Sequence, residues 1–146
     1  MDKIVENFVQ GKRVAVIGAS RSGSKFGNSV VKELKERGYQ VFVVHPEAQE
    51  IGGERCYPNL TALQGQVDGV WVCVPPSSAA SVLREAVQAG MGNIWLQQGA
   101  ESPEVLSVAE ELGVQPVFGK CILMYAQPVT GFHRWHRGFQ KLIGRL

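Results

Sequence analysis

The sequence predicts an α/β fold of the Rossmann-like, doubly wound kind, with a mainly parallel five-stranded sheet and helices on both faces. Two observations carry this prediction. Short apolar runs alternate with segments of helical periodicity along the chain, which is typical of a parallel sheet covered on both sides. Each apolar run also ends in glycine, proline or polar residues, as a strand does where it enters a loop.

The strands are predicted from the apolar runs at residues 13–17, 41–44, 69–74, 93–96 and 115–118. His45 and Pro46 interrupt the second run. Gly52 and Gly53 then indicate a loop that continues to Pro58.

The helices are predicted at residues 2–9, 28–37, 60–64, 78–89, 103–112 and 132–144. We expect Asn59 to cap the third helix and either Ser77 or Ser78 to cap the fourth. Ser102 as cap and Pro103 as first residue open the fifth helix. Glycines that allow a left-handed C-terminal turn follow three of them: Gly38, Gly90 and Gly113.

The composition indicates one globular domain over residues 1–146, since 45% of the residues are hydrophobic and 19% are charged. The net charge of +2 is too small to indicate nucleic-acid binding. No apolar run approaches the roughly 20 residues of a membrane span, and the acidic N-terminus does not resemble a signal peptide. Three scattered cysteines favour a reducing, cytoplasmic setting over a disulfide framework.

The segment 131–146 has its own pattern, an aromatic stripe beside basic residues. Residues 121–146 contain four basic side chains and no acidic one, so residues 1–120 carry a net charge of −2. We expect an amphipathic helix that docks its apolar face on the sheet or in a homodimer interface; contact with an anionic membrane or an acidic partner is the alternative. His133 and His136 lie three apart without a nearby acid or thiol, so no metal site is predicted.

Residues 13–27, RVAVIGASRSGSKFG, form a strand, a glycine loop and the start of a helix. This unit predicts phosphate binding, because the unpaired N–H groups and the dipole of a helix N-terminus favour an anion. Ser20, Arg21 and Lys25 would add further donors.

In an open α/β sheet, ligands bind beyond the carboxyl ends of the strands. Polar, glycine or proline residues stand at all five predicted strand ends, which is a more specific signal than the first loop alone. These segments are Gly18-Ala19-Ser20, His45-Pro46, Val74-Pro75-Pro76, Gln97-Gln98-Gly99 and Gly119-Lys120-Cys121.

A dinucleotide is the first candidate ligand for such a loop. Its fingerprint requires a second glycine where Ser20 stands, and an acidic residue where the second strand ends in His45 and Pro46. Glu47 lies two residues too late. These departures argue against NAD, yet a small NAD(P)-dependent oxidoreductase stays an alternative.

Five short motifs together resemble the small single-domain CoA-binding proteins, a family similar to the N-terminal domain of the succinyl-CoA synthetase α subunit. They are VAVIGAS at 14–20, VVHP at 43–46, VPP at 74–76, WLQQG at 95–99 and KC at 120–121. The resemblance covers about residues 10–122 and implies a Rossmann-like fold that binds coenzyme A.

The resemblance also implies roles for residues at the strand ends. The diphosphate would lie on Gly18, Ala19 and Ser20, with Arg21 or Lys25 pairing with its charge. His45 and Pro46 would border the adenine or ribose. The adenine or pantetheine would contact Val74, Pro75 and Pro76, and the pantetheine arm would pass Gln98 and Gly99.

Cys121 stands at the thiol end of this expected site, where many relatives continue Cys-Pro-Lys and this chain does not. It is either a small residue at a strand end or a thiol that forms a mixed disulfide with coenzyme A. No catalytic constellation is found, and the phosphorylated histidine and second subunit of the synthetases have no match here. We therefore expect a CoA-binding or regulatory module, with a subunit of a nucleotide-dependent acyl-CoA ligase as the further alternative.

Overall fold

A computed structural model describes residues 3–23 and 25–126, and the predicted helix at 132–144 lies outside them. Helices and strands alternate through most of this range. In chain order they are α1 (Lys3–Gln10), β1 (Arg13–Ile17), α2 (Phe26–Glu36), β2 (Gln40–Val44), β3 (Glu50–Ile51), β4 (Glu54–Tyr57), β5 (Gly69–Val72), α3 (Pro76–Gln88), β6 (Ile94–Gln97), α4 (Pro103–Leu112) and β7 (Val117–Lys120). Short 3₁₀ turns lie at Thr61–Leu63 and Ile122–Met124.

The strands form a seven-stranded sheet in the order β3-β4-β2-β1-β5-β6-β7. All neighbouring pairs are parallel except β3 and β4. The predicted class is therefore confirmed, but the strand number is seven and not five. The two extra strands form a hairpin at 50–57, where a loop was expected. Two and four residues are too short to give a recognisable apolar run, and Gly52 and Gly53 form the turn with positive φ.

Both faces of the sheet are covered, because side chains alternate between two apolar clusters. Val16, Trp71 and Trp95 face the cluster that includes α1 and α2. The opposite cluster joins Val70 and Val72 to α3 and α4. This division explains why β5 and β6 are buried along their whole length.

Both predicted ends of α4 are confirmed, whereas α1, α2 and α3 begin and end one or two residues from the predicted positions. Ser102 accepts a hydrogen bond from the Val105 N–H at 3.1 Å, and Gly113 ends α4 with φ of 75°. The Asn59 side chain accepts from the Ala62 N–H, although only a 3₁₀ turn follows it. The expected serine cap of α3 is wrong, because Pro75 is the N-cap residue and the helix begins at Pro76.

The amino-terminal edge of the sheet is held by one carboxylate. Asp68, just before β5, accepts hydrogen bonds from the backbone and guanidinium of Arg13 on β1, the shortest at 2.8 Å. The Asp68 carbonyl accepts from Asn93, just before β6. The guanidinium holds the pKa of Asp68 below its ordinary value of 3.8. Three neighbouring strands are thereby joined at the edge away from the predicted site.

No helix among the described residues is long and apolar enough to cross a membrane.

Candidate functional site

The loop after β1 is fixed by two close backbone approaches. Gly18 has φ of +131°, and a Cβ atom there would lie 2.2 Å from the carbonyl oxygen of Cys73. A Cβ atom on Gly27, in the first turn of α2, would lie 2.5 Å from the carbonyl oxygen of Gly18. Both positions therefore require glycine for contacts within the protein, before any ligand is considered.

Asn28 shapes the same loop, and sequence reasoning missed it. Its Oδ1 accepts a hydrogen bond from the Ser20 N–H, and its Nδ2 donates to the Ser20 carbonyl, both at 3.0 Å. The Ser20 hydroxyl lies 3.0 Å from the Ser22 hydroxyl. The Ser20 amide is thus already occupied, although its side chain stays at the loop surface. An Asn eight residues after the loop serine is the only sequence signal for this contact.

The N-terminus of α2 fits a phosphate group. Its N-cap residue, Lys25, makes no side-chain hydrogen bond to the helix. The Asn28 N–H donates to the Lys25 carbonyl at 3.0 Å, whereas the N–H groups of Phe26 and Gly27 precede the first hydrogen bond of the helix. Lys25 is exposed, and Arg21 is held beside the loop by an ion pair from its Nη2 to Glu47 Oε1 at 3.2 Å. Both partners of that pair are more than 60% exposed, so it contributes little to stability and leaves Arg21 accessible.

His45 directs the loop after β2. Its Nδ1 accepts hydrogen bonds from the N–H groups of Glu47 and Ala48, at 3.1 and 2.9 Å. The neutral ring then carries its proton on Nε2. Nδ1 takes the role of the side-chain oxygen of Asn or Asp in a tight turn, which places Glu47 opposite Arg21.

The crevice between β1 and β5 is the point where the chain reverses its winding. Strands β2 and β5 lie on opposite sides of β1, and α2 and α3 cover opposite faces. Ligands of doubly wound folds bind at such a point. The loop after β1 lies on one side of this crevice, and the predicted segment Val74, Pro75 and Pro76 lies on the other. Pro75 is exposed, and Val74 packs beside α3.

The ends of β6 and β7 form the far part of the edge. Gln98 is exposed, and its Nε2 lies 3.4 Å from the Gly119 carbonyl. The Gly99 N–H donates to Glu101 at 3.0 Å. Cys121, after β7, and Cys73, after β5, are both half-buried. Burial raises the pKa of the Cys73 thiol.

Gln97 is the second residue that sequence reasoning undervalued. It is only 4% exposed, and its Oε1 accepts hydrogen bonds from Trp71 Nε1 at 3.0 Å and from the Ile122 N–H at 3.1 Å. Two adjacent glutamines in the sequence gave no sign of which one is buried.

All thirteen predicted site residues lie at the carboxyl edge, after five neighbouring strands. From β2 to β7 these ends span about 19 Å at the usual strand spacing. The residues do not converge on one point, so the edge suits a long ligand and not a compact one.

Two cavities differ in their distance from the first loop. One of about 450 Å³ lies between α2 and the β3–β4 hairpin and reaches that loop at Ala19 and Asn28; its wall balances two lysines against two glutamates, Lys32, Lys35, Glu36 and Glu54. A larger one of about 1280 Å³ lies between the amino-terminal ends of β6 and β7 and the end of α4. Among its described lining residues only Glu110 is charged, so it does not favour phosphate.

Comparison with known proteins agrees with this geometry. A family model described as a CoA binding domain matches residues 12–127. The chain is 30% identical to an ADP-forming acetate–CoA ligase I of Archaeoglobus fulgidus, over 82% of this chain and 19% of that protein. It thus spans less than a third of the first curated relatives it matches. It is 27% identical to the uncharacterized protein YneT of Bacillus subtilis, with 82% and 89% of the two chains covered.

Among solved structures, a conserved hypothetical protein from Pyrococcus furiosus is 39% identical with a TM-score of 0.72, covering 77% of this chain and 97% of that one. A hypothetical protein from Pyrococcus horikoshii is 28% identical with a TM-score of 0.75, covering 88% and 90%. Because the family model covers most of the chain, the protein belongs to the CoA-binding domain family.

Proposed function

We propose that this chain binds coenzyme A or an acyl-CoA and acts as a binding or regulatory module, with residues 1–146 as one unit. One observation carries the proposal: the family match over residues 12–127 includes every predicted site residue at the carboxyl edge. The length of that edge agrees with a ligand made of a nucleotide and a long arm.

In this proposal the diphosphate lies on the loop of Gly18, Ala19 and Ser20, over the N-terminus of α2. Asn28 Oδ1 accepts from the Ser20 amide and, at 3.4 Å, from the Ser20 hydroxyl, and the Asn28 N–H donates to the Lys25 carbonyl. The N–H groups of Phe26 and Gly27, at the start of α2, are therefore the donors assigned to the diphosphate. Arg21 and Lys25 supply positive charge.

The nucleoside lies towards β2, beside His45 and Pro46. Support comes from the cavity at the hairpin, which continues from Ala19 along Val43 and Ile51 and can enclose an apolar base. The arm runs in the other direction, past Val74, Pro75 and Pro76 to Gln98, Gly99 and Cys121, in agreement with the strand order.

The ligand that copurifies with the natively isolated protein tests this proposal. Denaturing release followed by mass spectrometry is expected to give coenzyme A or an acyl-CoA, and stripped protein is expected to rebind it in calorimetry. Release of NAD(P), together with no heat of binding for coenzyme A, would reject the proposal.

A second candidate is a subunit of a nucleotide-dependent acyl-CoA ligase. It is favoured by the curated relatives named as ADP-forming acetate–CoA ligases, one of them an α subunit. Isolation of the chain under native conditions separates the two, because a ligase subunit is expected to copurify with a partner protein and the complex to form ATP from acetyl-CoA, ADP and phosphate. The binding module predicts no ATP above a no-protein control.

The NAD(P) oxidoreductase alternative is less favoured by the geometry. Glu47 is the acidic residue nearest the end of β2, and it is paired with Arg21. His45 Nδ1 is already occupied by its own turn.

A further inference from the structure

Gln97, the last residue of β6, has partners for the oxygen of its side-chain amide but, among the described residues, none for the nitrogen. Its Oε1 accepts from Trp71 Nε1 and the Ile122 N–H. Two donors on one atom settle the orientation of the amide, because the reverse orientation would place an NH₂ group against two N–H groups. Nε2 donates no hydrogen bond to any of residues 3–23 and 25–126.

An unused N–H donor on a residue that is 4% exposed is rare, because a buried donor without a partner destabilises the folded state. The donor is therefore available to an acceptor that residues 3–23 and 25–126 do not supply, such as a bound ligand. Its position shows where that acceptor would lie.

Gln97 is placed at the edge that the proposed ligand would cross. It pairs with Lys120 on β7, and the register of Val72 with Leu96 brings Cys73 beside it on the β5 side. Residues two apart on a strand share a face, so Gln97 lies on the same face as Trp95 and α2. The Phe26 ring, which opens α2, is 6.4 Å from the Trp71 ring.

The surroundings favour a neutral acceptor. The apolar rings of Trp71 and Phe26 and the half-buried Cys73 lie nearby, so an acceptor bound here loses much of its hydration, which costs a charged group more than a neutral one. Burial raises the pKa of the Cys73 thiol, and Lys25 acts on that pKa in the opposite direction. A neutral carbonyl oxygen therefore suits this position better than a phosphate or a carboxylate.

The distance from the phosphate loop to Gln97 agrees with a position along the pantetheine arm. β6 lies two strands from β1, so Gln97 is about 10 Å across the sheet from the phosphate loop. Coenzyme A carries neutral amide carbonyls along the arm, and an acyl-CoA carries a further thioester carbonyl.

We propose that Gln97 Nε2 donates a hydrogen bond to a carbonyl oxygen of the arm of coenzyme A or of its thioester. The inference rests on the proposed function and names the residue that recognises the arm. It assigns this role to Gln97, whose neighbour Gln98 is the residue that the sequence suggested.

The Gln97→Glu variant tests the donor with little change of shape. One carboxylate oxygen still accepts from Trp71 and Ile122, and the second replaces the NH₂ group. The variant is expected to weaken acetyl-CoA, which contains both kinds of carbonyl, at least tenfold in calorimetry, and to leave the affinity for 3′-phosphoadenosine 5′-diphosphate, the head group without the arm, within twofold. Gln40→Glu, an exposed position at the amino-terminal edge, adds the same charge and is expected to change neither.

Two analogues identify the source of the carbonyl. Equal weakening of coenzyme A, acetyl-CoA and the S-ethyl thioether indicates an arm amide. Weakening of acetyl-CoA alone indicates the thioester. Unchanged affinity for all three in Gln97→Glu, or equal loss for the head group, would overturn the inference.

The wild-type protein provides a test that does not depend on the variant folding. The side-chain amide resonance of Gln97 is expected to shift on adding coenzyme A or acetyl-CoA and to stay in place with the head group alone. An unmoved resonance at saturation with both would overturn the inference. If the wild type bound no coenzyme A at all, the proposed function itself would fail.

Discussion

The polar groups at the two edges of the sheet differ in whether they bond to one another. At the amino-terminal edge, Asp68 accepts from Arg13 and Asn93, so polar groups of three strands satisfy one another. At the carboxyl-terminal edge, the first turn of α2 lacks a side-chain bond from its N-cap residue, and Gln97 Nε2 has no acceptor in the part of the chain that the structure describes. Polar residues thus stabilise the fold at one edge and remain available for a ligand at the other.

Gly18 is the strongest exception to this difference between the edges, because it lies in the proposed ligand loop and is nevertheless required for the stability of the fold. Gly18→Ala is expected to lower the free energy of unfolding by roughly 2–5 kcal/mol, since the new methyl group meets the Cys73 carbonyl and the positive φ adds strain. Urea unfolding measures the loss.

Gly23→Ala is the matched control for that variant. Gly23 also has positive φ, but a Cβ atom there meets nothing within 4 Å. Its cost is expected to be about 1–2 kcal/mol, from backbone strain alone. Equal losses at the two positions would show that the contact with Cys73 is not what requires glycine.

The charged groups of the first loop should affect binding and leave stability unchanged. Arg21→Ala and Lys25→Ala are each expected to weaken coenzyme A by roughly 1–3 kcal/mol, if that side chain pairs with a phosphate. Both are exposed, so the unfolding free energy is expected to change by less than about 0.5 kcal/mol.

Lys3→Ala combined with Arg84→Ala controls for net charge, because both are exposed helix residues outside the strand-end segments. Calorimetry on the two double variants gives the comparison. Wild-type affinity in the Arg21/Lys25 double variant would rule out the charge contact.

Asp68 is expected to affect stability and not binding, the reverse of Arg21 and Lys25. Its effect on the free energy of unfolding is smaller than that of Gly18 and depends on pH. Its pKa is lowered by Arg13, so the pair stabilises the folded protein above the ordinary carboxyl pKa and loses this contribution as the pH falls through the lowered value. Asp68→Asn is therefore expected to be less stable than wild type at pH 7, with the difference shrinking as the pH falls below the ordinary carboxyl pKa of 3.8. Thermal unfolding across that range checks it, and coenzyme A affinity at pH 7 should be unchanged.

The sequence predicted the edge that carries the site better than the contacts within it. Apolar runs and capping residues such as Ser102 are local signals, and the structure confirms them. The β3–β4 hairpin was missed because its strands are too short to show periodicity. Strand β7 begins two residues later than predicted, at Val117, because the apolar run at 115–118 does not mark where pairing with β6 starts.

The roles of Asn28 and Gln97 arise only from tertiary structure. In the sequence, Asn28 resembles any polar residue in the first turn of a helix. Its contacts with Ser20 exist only because the loop folds back onto the helix. The burial of Gln97 depends on Trp71 and Ile122, which lie 26 and 25 residues away in the chain. A pattern in one sequence does not reveal such partners.

The most direct test of the account is the thermal stability of the stripped protein with coenzyme A and with NAD. A ligand at 100 times its Kd adds about 2.7 kcal/mol to the free energy of unfolding, so a clear rise in Tm is expected with coenzyme A. NAD at the same concentration is expected to give little or no rise, because the end of β2 offers His45 and Pro46 in place of an acid for the ribose. A rise with NAD and none with coenzyme A would contradict the account.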